Sequence, residues 1–261
     1  MPTRTDTELE ILEAIESAGA LTSRRIEENF GPRPNWHRLL KDGMLKETKT
    51  VYGPALTLSA AHADRLGIDG RLSGAGPIAD RAYMNDAVET LVNQGYTWLR
   101  FDFKRGPTLG THTSHIVRAL MRVPPGDLRR IRAEWPRHAA SQDARRPSHS
   151  SVDALKGKLG EVYLYARCSG GGIQPPEIRR LLKRHYHDLL EWRSPLLLVV
   201  PKDEGALRTF VRGHLAKKEA AHAKFEKTGL SQPHAHIPDF TLITQPLPDL
   251  IYRPSRLVKR D

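Results

Sequence analysis

A chain of 261 residues with 39% hydrophobic content can bury one large core or two modest ones, and 41 Lys and Arg against 30 Asp and Glu give a formal charge of +11. Basic character of that size favours a polyanionic partner such as nucleic acid. A single cysteine, Cys168, excludes an intramolecular disulfide and a cysteine-based zinc site. No apolar run approaches the ~18 residues of a membrane span, and the N-terminus lacks the apolar core of a signal peptide, so a reducing cytoplasm beside the nucleoid is the expected location.

In chain order, Thr5 to Ala18 carries Leu9, Leu12 and Ile15 at three-residue steps and opens with Thr5-x-x-Glu8, the pattern of a capping box, which predicts a helix ended by Gly19. A second helix is expected from Leu21 to Phe30, with Thr22 as its cap. After Gly31-Pro32 comes a third, short helix over Pro34 to Asp42. Trp36, Leu39 and Leu40 share one of its faces, and Arg33, His37, Arg38 and Lys41 share the other. Asp42-Gly43 ends it, and Tyr52-Gly53-Pro54 is expected to turn the chain between two β-like runs. The segment from Ala60 to Ile68 adds a closing helix.

Three short helices and a hairpin within about 60 residues give the order of a winged helix-turn-helix, whose third helix commonly enters the major groove. Residues 1–68 are therefore read as a DNA-binding domain. Residues 1–70 hold nine Lys and Arg against eleven Asp and Glu, a net of −2, but the charges are segregated. The acids Glu8, Glu10, Glu13 and Glu16 crowd the first helix, while Arg33, Arg38, Lys41, Lys46 and Lys49 gather on the third helix and wing. That polarity turns the third helix toward phosphates. Arg33, Asn35, His37, Arg38, Lys41, Lys46, Lys49 and Tyr52 are the candidate DNA contacts. A winged helix that makes only protein contacts fits the same elements.

Asp69 to Pro77, with three Gly and a Pro, is the expected linker. The remainder, 78–261, reads as a basic mixed α/β domain, since residues 71–261 carry 32 Lys and Arg against 19 Asp and Glu. It opens with a helix over Ile78 to Gln94, striped by Tyr83, Ala87, Val88 and Leu91. Strands follow at Tyr96–Phe103, at His115–Val123 (where a helix fits equally) and in the run GEVYLYARCS. Between the last two lie a helix starting at the Pro124-Pro125 pair and the polar run Ser141–Ser151. Gly170 to Gly172 is a turn. Pro175 to Trp192 is a strongly periodic helix with Arg179, Arg180, Lys183, Arg184 and His187 opposite an apolar face, suited to a DNA backbone or a homodimer contact. Ser194 to Pro201 is a buried strand, Asp203 to about Phe225 a helix, and DFTLITQPL the last strand.

This order, with the helices ADRAYMNDAVETLV and IRRLLKRHYHDLL and the strand PLLLVVP, resembles the replication-relaxation proteins, accessory factors of plasmids and mobile elements. Second domains of this kind resemble a degenerate restriction-endonuclease core. The resemblance implies double-stranded DNA binding near a replication, transfer or promoter site. An active nuclease of that type needs an acid followed by acid-x-Lys on a neighbouring strand to hold a divalent metal and activate water. Asp153 precedes the strand at Glu161, but Tyr163 stands where Lys is required, and the acid-x-Lys of Asp102 and Lys104 lies on a different strand. The expectation is therefore a non-catalytic DNA-binding protein with no cofactor, metal or small-molecule ligand. An ordinary transcriptional regulator, a metal-dependent nuclease and a protein-interaction adaptor are the alternatives. The pairs His112/His115, His185/His187 and His234/His236 lack supporting acids or cysteines, Ser169–Gly172 lacks a following GK[ST], and Tyr163 with Tyr165 reads as core.

Overall fold

A computed structural model describes residues 5–68, 72–102, 118–122, 124, 161–184, 196–202, 205–229 and 240–248. The expected helix after Pro124, the polar run Ser141–Ser151, the three histidine pairs, Lys104 and Asp153 lie outside the described residues. The described chain is a mixed α/β protein with a helical N-terminal unit.

Helix α1 spans Asp6–Ala18 and is closed at its start by the expected capping box: Glu8 N donates to Thr5 Oγ1 (3.2 Å) and Thr5 N donates to Glu8 Oε2 (3.0 Å). The second helix is shorter than expected. Leu21 and Thr22 form a strand, β1, paired with Leu56 and Ala55, and α2 runs from Ser23 to Phe30. The reason is the cap itself, since an N-cap residue is extended while its side chain accepts from the first turn, here Thr22 Oγ1 from Arg25 N. Helix α3 is Pro34–Lys41, with proline in its first turn and Gly43 at φ 68 just beyond its end.

Strands β2 (Leu45–Thr50) and β3 (Gly53–Leu58) form the expected hairpin, and the sheet order is β1-β3-β2, all antiparallel. Its turn is Val51-Tyr52, one residue earlier than the proline suggested, because Lys49 pairs with Pro54 and Thr50 with Gly53. Thr50 Oγ1 closes the turn, accepting from Tyr52 N (3.0 Å) and donating to Gly53 O (2.6 Å). One face of this sheet meets α1–α3 through Ile11, Ile15, Ile26, Trp36, Leu39, Leu45 and Leu56, with Leu40 partly buried at the edge. Helix α4 (Ala60–Arg65) closes the unit, capped by Ser59 Oγ.

Helix α5 begins at Ala75, so the last three residues of the Gly-rich stretch are helical, and it runs to Asn93. Strands β4 (Thr97–Asp102), β5 (Arg118–Arg122), β6 (Glu161–Ala166), β7 (Leu196–Val200) and β8 (Phe240–Thr244) form a second sheet in sequence order. The first three are antiparallel neighbours, and β6, β7 and β8 are parallel. Side chains alternate across it: Val162, Leu164, Ala166, Leu197 and Val199 face α5. Tyr165, Leu196, Leu198 and Val200 face helices α6 (Pro175–Arg184) and α7 (Gly205–Thr228).

Residues Ile78 to Met84 are seven consecutive buried positions, Asp80 and Arg81 included. A helix buried over almost two full turns has neighbours on every side, and α5 lies between the two sheets. It meets the second sheet through the core just named. It meets the N-terminal unit through Ile78 against Ala20 and Ala55, through Asn85 Nδ2, which donates to Ala18 O (3.1 Å) and Ala20 O (2.7 Å), and through Arg81 Nε, which donates to Ala18 O. Gly19 makes this approach feasible. Its φ is +76, and a Cβ there would lie 3.0 Å from Arg81 Nε.

Candidate nucleic-acid interface

Helix α3 presents the face that the sequence set aside for contact. Trp36 and Leu39 are fully buried, so the opposite side of a helix this short is fixed outward. Lys41, Lys46 and Lys49 are exposed, and His37 is half-buried. Arg33 is 52% exposed, with its guanidinium 5.7 Å from the centre of the Trp36 ring and 3.5 Å from Glu47 Oε2. Arg38 is 39% exposed and lies 3.6 Å from Glu8 Oε1 and 3.7 Å from Asp42 Oδ2. Asn35 occupies the first turn of α3, and its side chain is outside the described set.

Tyr52 requires correction. Sequence placed it among the residues that touch DNA, but it is buried, 4% exposed, at the junction between the hairpin and α5. Its hydroxyl donates to Asp86 Oδ2 at 2.6 Å and accepts from Gln245 Nε2 at 3.3 Å, and its ring meets Tyr83 edge-on with centroids 5.1 Å apart. The hairpin turn is thereby tied to α5 and to the segment after β8. Arg25 adds Nε at 3.5 Å from Asp86 Oδ1 and an ion pair with Glu89, and Arg24 lies 3.9 Å from Asp86 Oδ2. Burial pushes the Asp86 carboxyl above its ordinary range, against the opposing pull of the Tyr52 hydrogen bond and the two arginines. Burial, then Asp86 itself, pushes the Tyr52 hydroxyl far above its own ordinary value, so it remains a donor at every accessible pH. Burial also lowers Arg81 to about 9.

On the far side of the second sheet, Arg179 and Arg180 of α6 are exposed as expected, while Ile178 is fully buried. Lys183 and Arg184 continue the helix, with side chains outside the described set. The arginines of α6 are accompanied by basic residues of α7 that sequence reasoning passed over, Arg212, Lys217 and Lys224, all exposed. The seven-residue spacing from Lys217 to Lys224 was the signal that could have found them.

The amides that lead into the glycine turn are engaged within the protein. Cys168 N and Ser169 N donate to Asp80 Oδ1 at 2.9 and 2.7 Å, and Ser169 Oγ donates to Asp80 Oδ2 at 2.7 Å. Arg167 joins the same carboxylate at 3.7 Å and pairs with Glu177. Tyr165 is core, packed with Ile173 and Ile178. Among the described residues no group of His, Cys, Asp and Glu is placed to hold a metal ion, and no helix is long and apolar enough to cross a membrane. No protein-family model matches the chain, and no curated protein or solved structure matches it either.

Proposed function

We propose that the chain is a non-catalytic double-stranded DNA-binding protein in which residues 5–68 act as a winged helix and α3 reads the major groove, at a replication, plasmid-transfer or promoter site in the cytoplasm. The observation that carries this reading is the division of α3: Trp36 and Leu39 wholly buried on one side, Lys41 exposed and Arg38 part-exposed on the other, with Arg33 exposed just ahead of its first turn. The ion pair of Arg38 with Asp42 is exposed, and the one with Glu8 reaches a carboxylate only 3% exposed, which also accepts from Thr5 N. Exposed pairs contribute about 0–1 kcal/mol, whereas a bidentate arginine contact to guanine discriminates by about 1–3 kcal/mol. Non-catalysis rests on Tyr163, which stands where acid-x-Lys chemistry on β6 requires lysine.

The test is selection of bound sequences from a random duplex library, comparing the parent with Arg38→Ala/Lys41→Ala. The double variant should lose its sequence preference while remaining folded at the assay temperature, whereas Trp36→Ala should lose about 3–5 kcal/mol of stability. If the double variant selects the same sequence with the same affinity, α3 is not the reader, and the protein-adaptor reading takes its place.

A further inference from the structure

We propose that the outer face formed by α6 and α7 is a second duplex-binding surface, so that one molecule holds two separate DNA segments at once. The inference rests on the DNA-binding reading of α3 and goes beyond it. It begins with the distribution of charge on α7. In an ideal helix Phe210, Lys217 and Lys224, seven residues apart, form one row with steps of about 10 Å. The first member of that row is where Arg179 of α6 rests, its guanidinium 5.4 Å from the centre of the Phe210 ring. Arg179, Lys217 and Lys224 therefore make a basic line along the flank that α7 shares with α6, and Arg180 is exposed on the same helix as Arg179. The acids of α7, Glu219 and Glu226, each follow a member of the row by two residues, which carries them about 160° round the helix. The acids share their side of α7 with Arg208 and Arg212, so the row itself carries no acid and is complementary to phosphate, with no requirement for a particular base.

The layering separates this surface from α3. In order, the molecule stacks α3, the first sheet, α5, the second sheet, and α6 with α7, while the end of α1 and the start of α2 reach α5 at Ala18 and Arg25. At about 10 Å per layer α3 and the pair α6 and α7 are roughly 40 Å apart, with both sheets and α5 between them. One straight duplex cannot touch both. Bending a 20–30 base-pair site by 40–90° costs about 1–6 kcal/mol, and elastic energy rises as the square of the angle, so a half-turn around the molecule costs several times more than that. Two segments, one on each face, incur no such cost.

The experiment uses a duplex fixed to beads and a second, fluorescent duplex in solution. The parent protein should capture the second duplex on the first, and Lys217→Glu/Lys224→Glu should lower the ratio of second to first duplex captured at least tenfold. The salt dependence of that second capture should also flatten by about two in logarithmic slope, since each phosphate that is no longer neutralised removes about 0.9. If the charge reversals disturb the thermal melt, the Gln pair at the same positions is read instead, with the same direction expected. A parent protein that holds the fixed duplex but captures no second one overturns the bridging proposal and leaves the reading of α3 intact. Undiminished second capture by the variant overturns it equally, since bridging would then come from paired copies of α3. Failure to hold even the first duplex overturns the DNA-binding reading itself.

Discussion

Tyr52→Phe isolates one hydrogen bond at the joint between the two sheets. Phenylalanine keeps the ring packed edge-on against Tyr83 but removes the donor 2.6 Å from Asp86 Oδ2. The folded-state Asp86 carboxyl already sits above its ordinary 3.8 because burial disfavours its charge, and Tyr52 is the largest influence pulling it down. A carboxyl raised on folding stabilises the protein fully below its unfolded value, and that contribution is lost as pH rises through the folded value. Removing Tyr52's hydroxyl raises the folded value further, so the variant loses more than the parent over that climb. In magnitude, a hydrogen bond to a charged group contributes about 1.5–3 kcal/mol and a neutral one about 0.5–1.5 kcal/mol. The expected loss is therefore about 2 kcal/mol at about pH 7 and about 1 kcal/mol at about pH 3.5. Gln245 loses an acceptor as well, but its Nε2 also donates to Tyr83 O at 3.3 Å, and this part is the same at both pH values. Urea unfolding followed by tryptophan fluorescence at the two pH values measures the difference. Equal losses at both, or a larger loss in acid, would refute the assignment of Asp86 as an ionised acceptor.

Gly19→Ala should cost about 1–2 kcal/mol for its left-handed backbone alone and more for the push against Arg81, lowering the melting temperature by about 4 °C or beyond. A melting temperature within about one degree of the parent would show that Arg81 does not depend on this close approach. Asp80→Asn, which keeps an acceptor for the Cys168 and Ser169 amides but turns the oxygen facing Ser169 Oγ and Arg167 into a donor, should cost about 1–3 kcal/mol in urea unfolding. No change would mean that the glycine turn is held by Arg167 and Glu177 rather than by Asp80.

The N-terminal unit was legible because its signals are local. The capping box, the glycine stop after α1 and the apolar face of α3 each involve residues within one or two turns of each other, and each is where periodicity placed it. Strand β1 was hidden because two residues carry no period, and their pairing with β3 depends on a partner more than thirty positions away. Tyr52 was misplaced for a related reason: an aromatic at a hairpin turn is exposed unless something packs over it, and what packs over it, Tyr83 and Asp86, belongs to another helix. The stripe of Tyr83, Ala87, Val88 and Leu91 identified α5 as a helix with one buried side. Its other side is buried through Asp80, Arg81 and Asn85, and polar residues on a helix read as solvent-facing unless their partners are known.

The Gly-rich stretch from Asp69 to Pro77 marked the expected linker between two domains, and the packing of α5 bears on what bridging would require. Two DNA sites on flexibly joined domains adapt to whatever distance separates their targets, and their joint affinity is set by linker length. Here Arg81 and Asn85 bind the backbone at Ala18 and Ala20, Ile78 enters the core of the N-terminal unit, and Tyr52 reaches back to Asp86 and Gln245. Opening the joint would exchange the hydrogen bonds of Arg81, Asn85 and Tyr52 for bonds to water, at a net of about 0.5–1.5 kcal/mol each, and would uncover the apolar contacts of Ile78. A molecule that bridges two duplexes through α3 and the face of α6 and α7 therefore holds them at one separation and one angle. Its preference among DNA pairs would follow from the geometry of those pairs, crossing or lying side by side, and not from the length of the Gly-rich stretch.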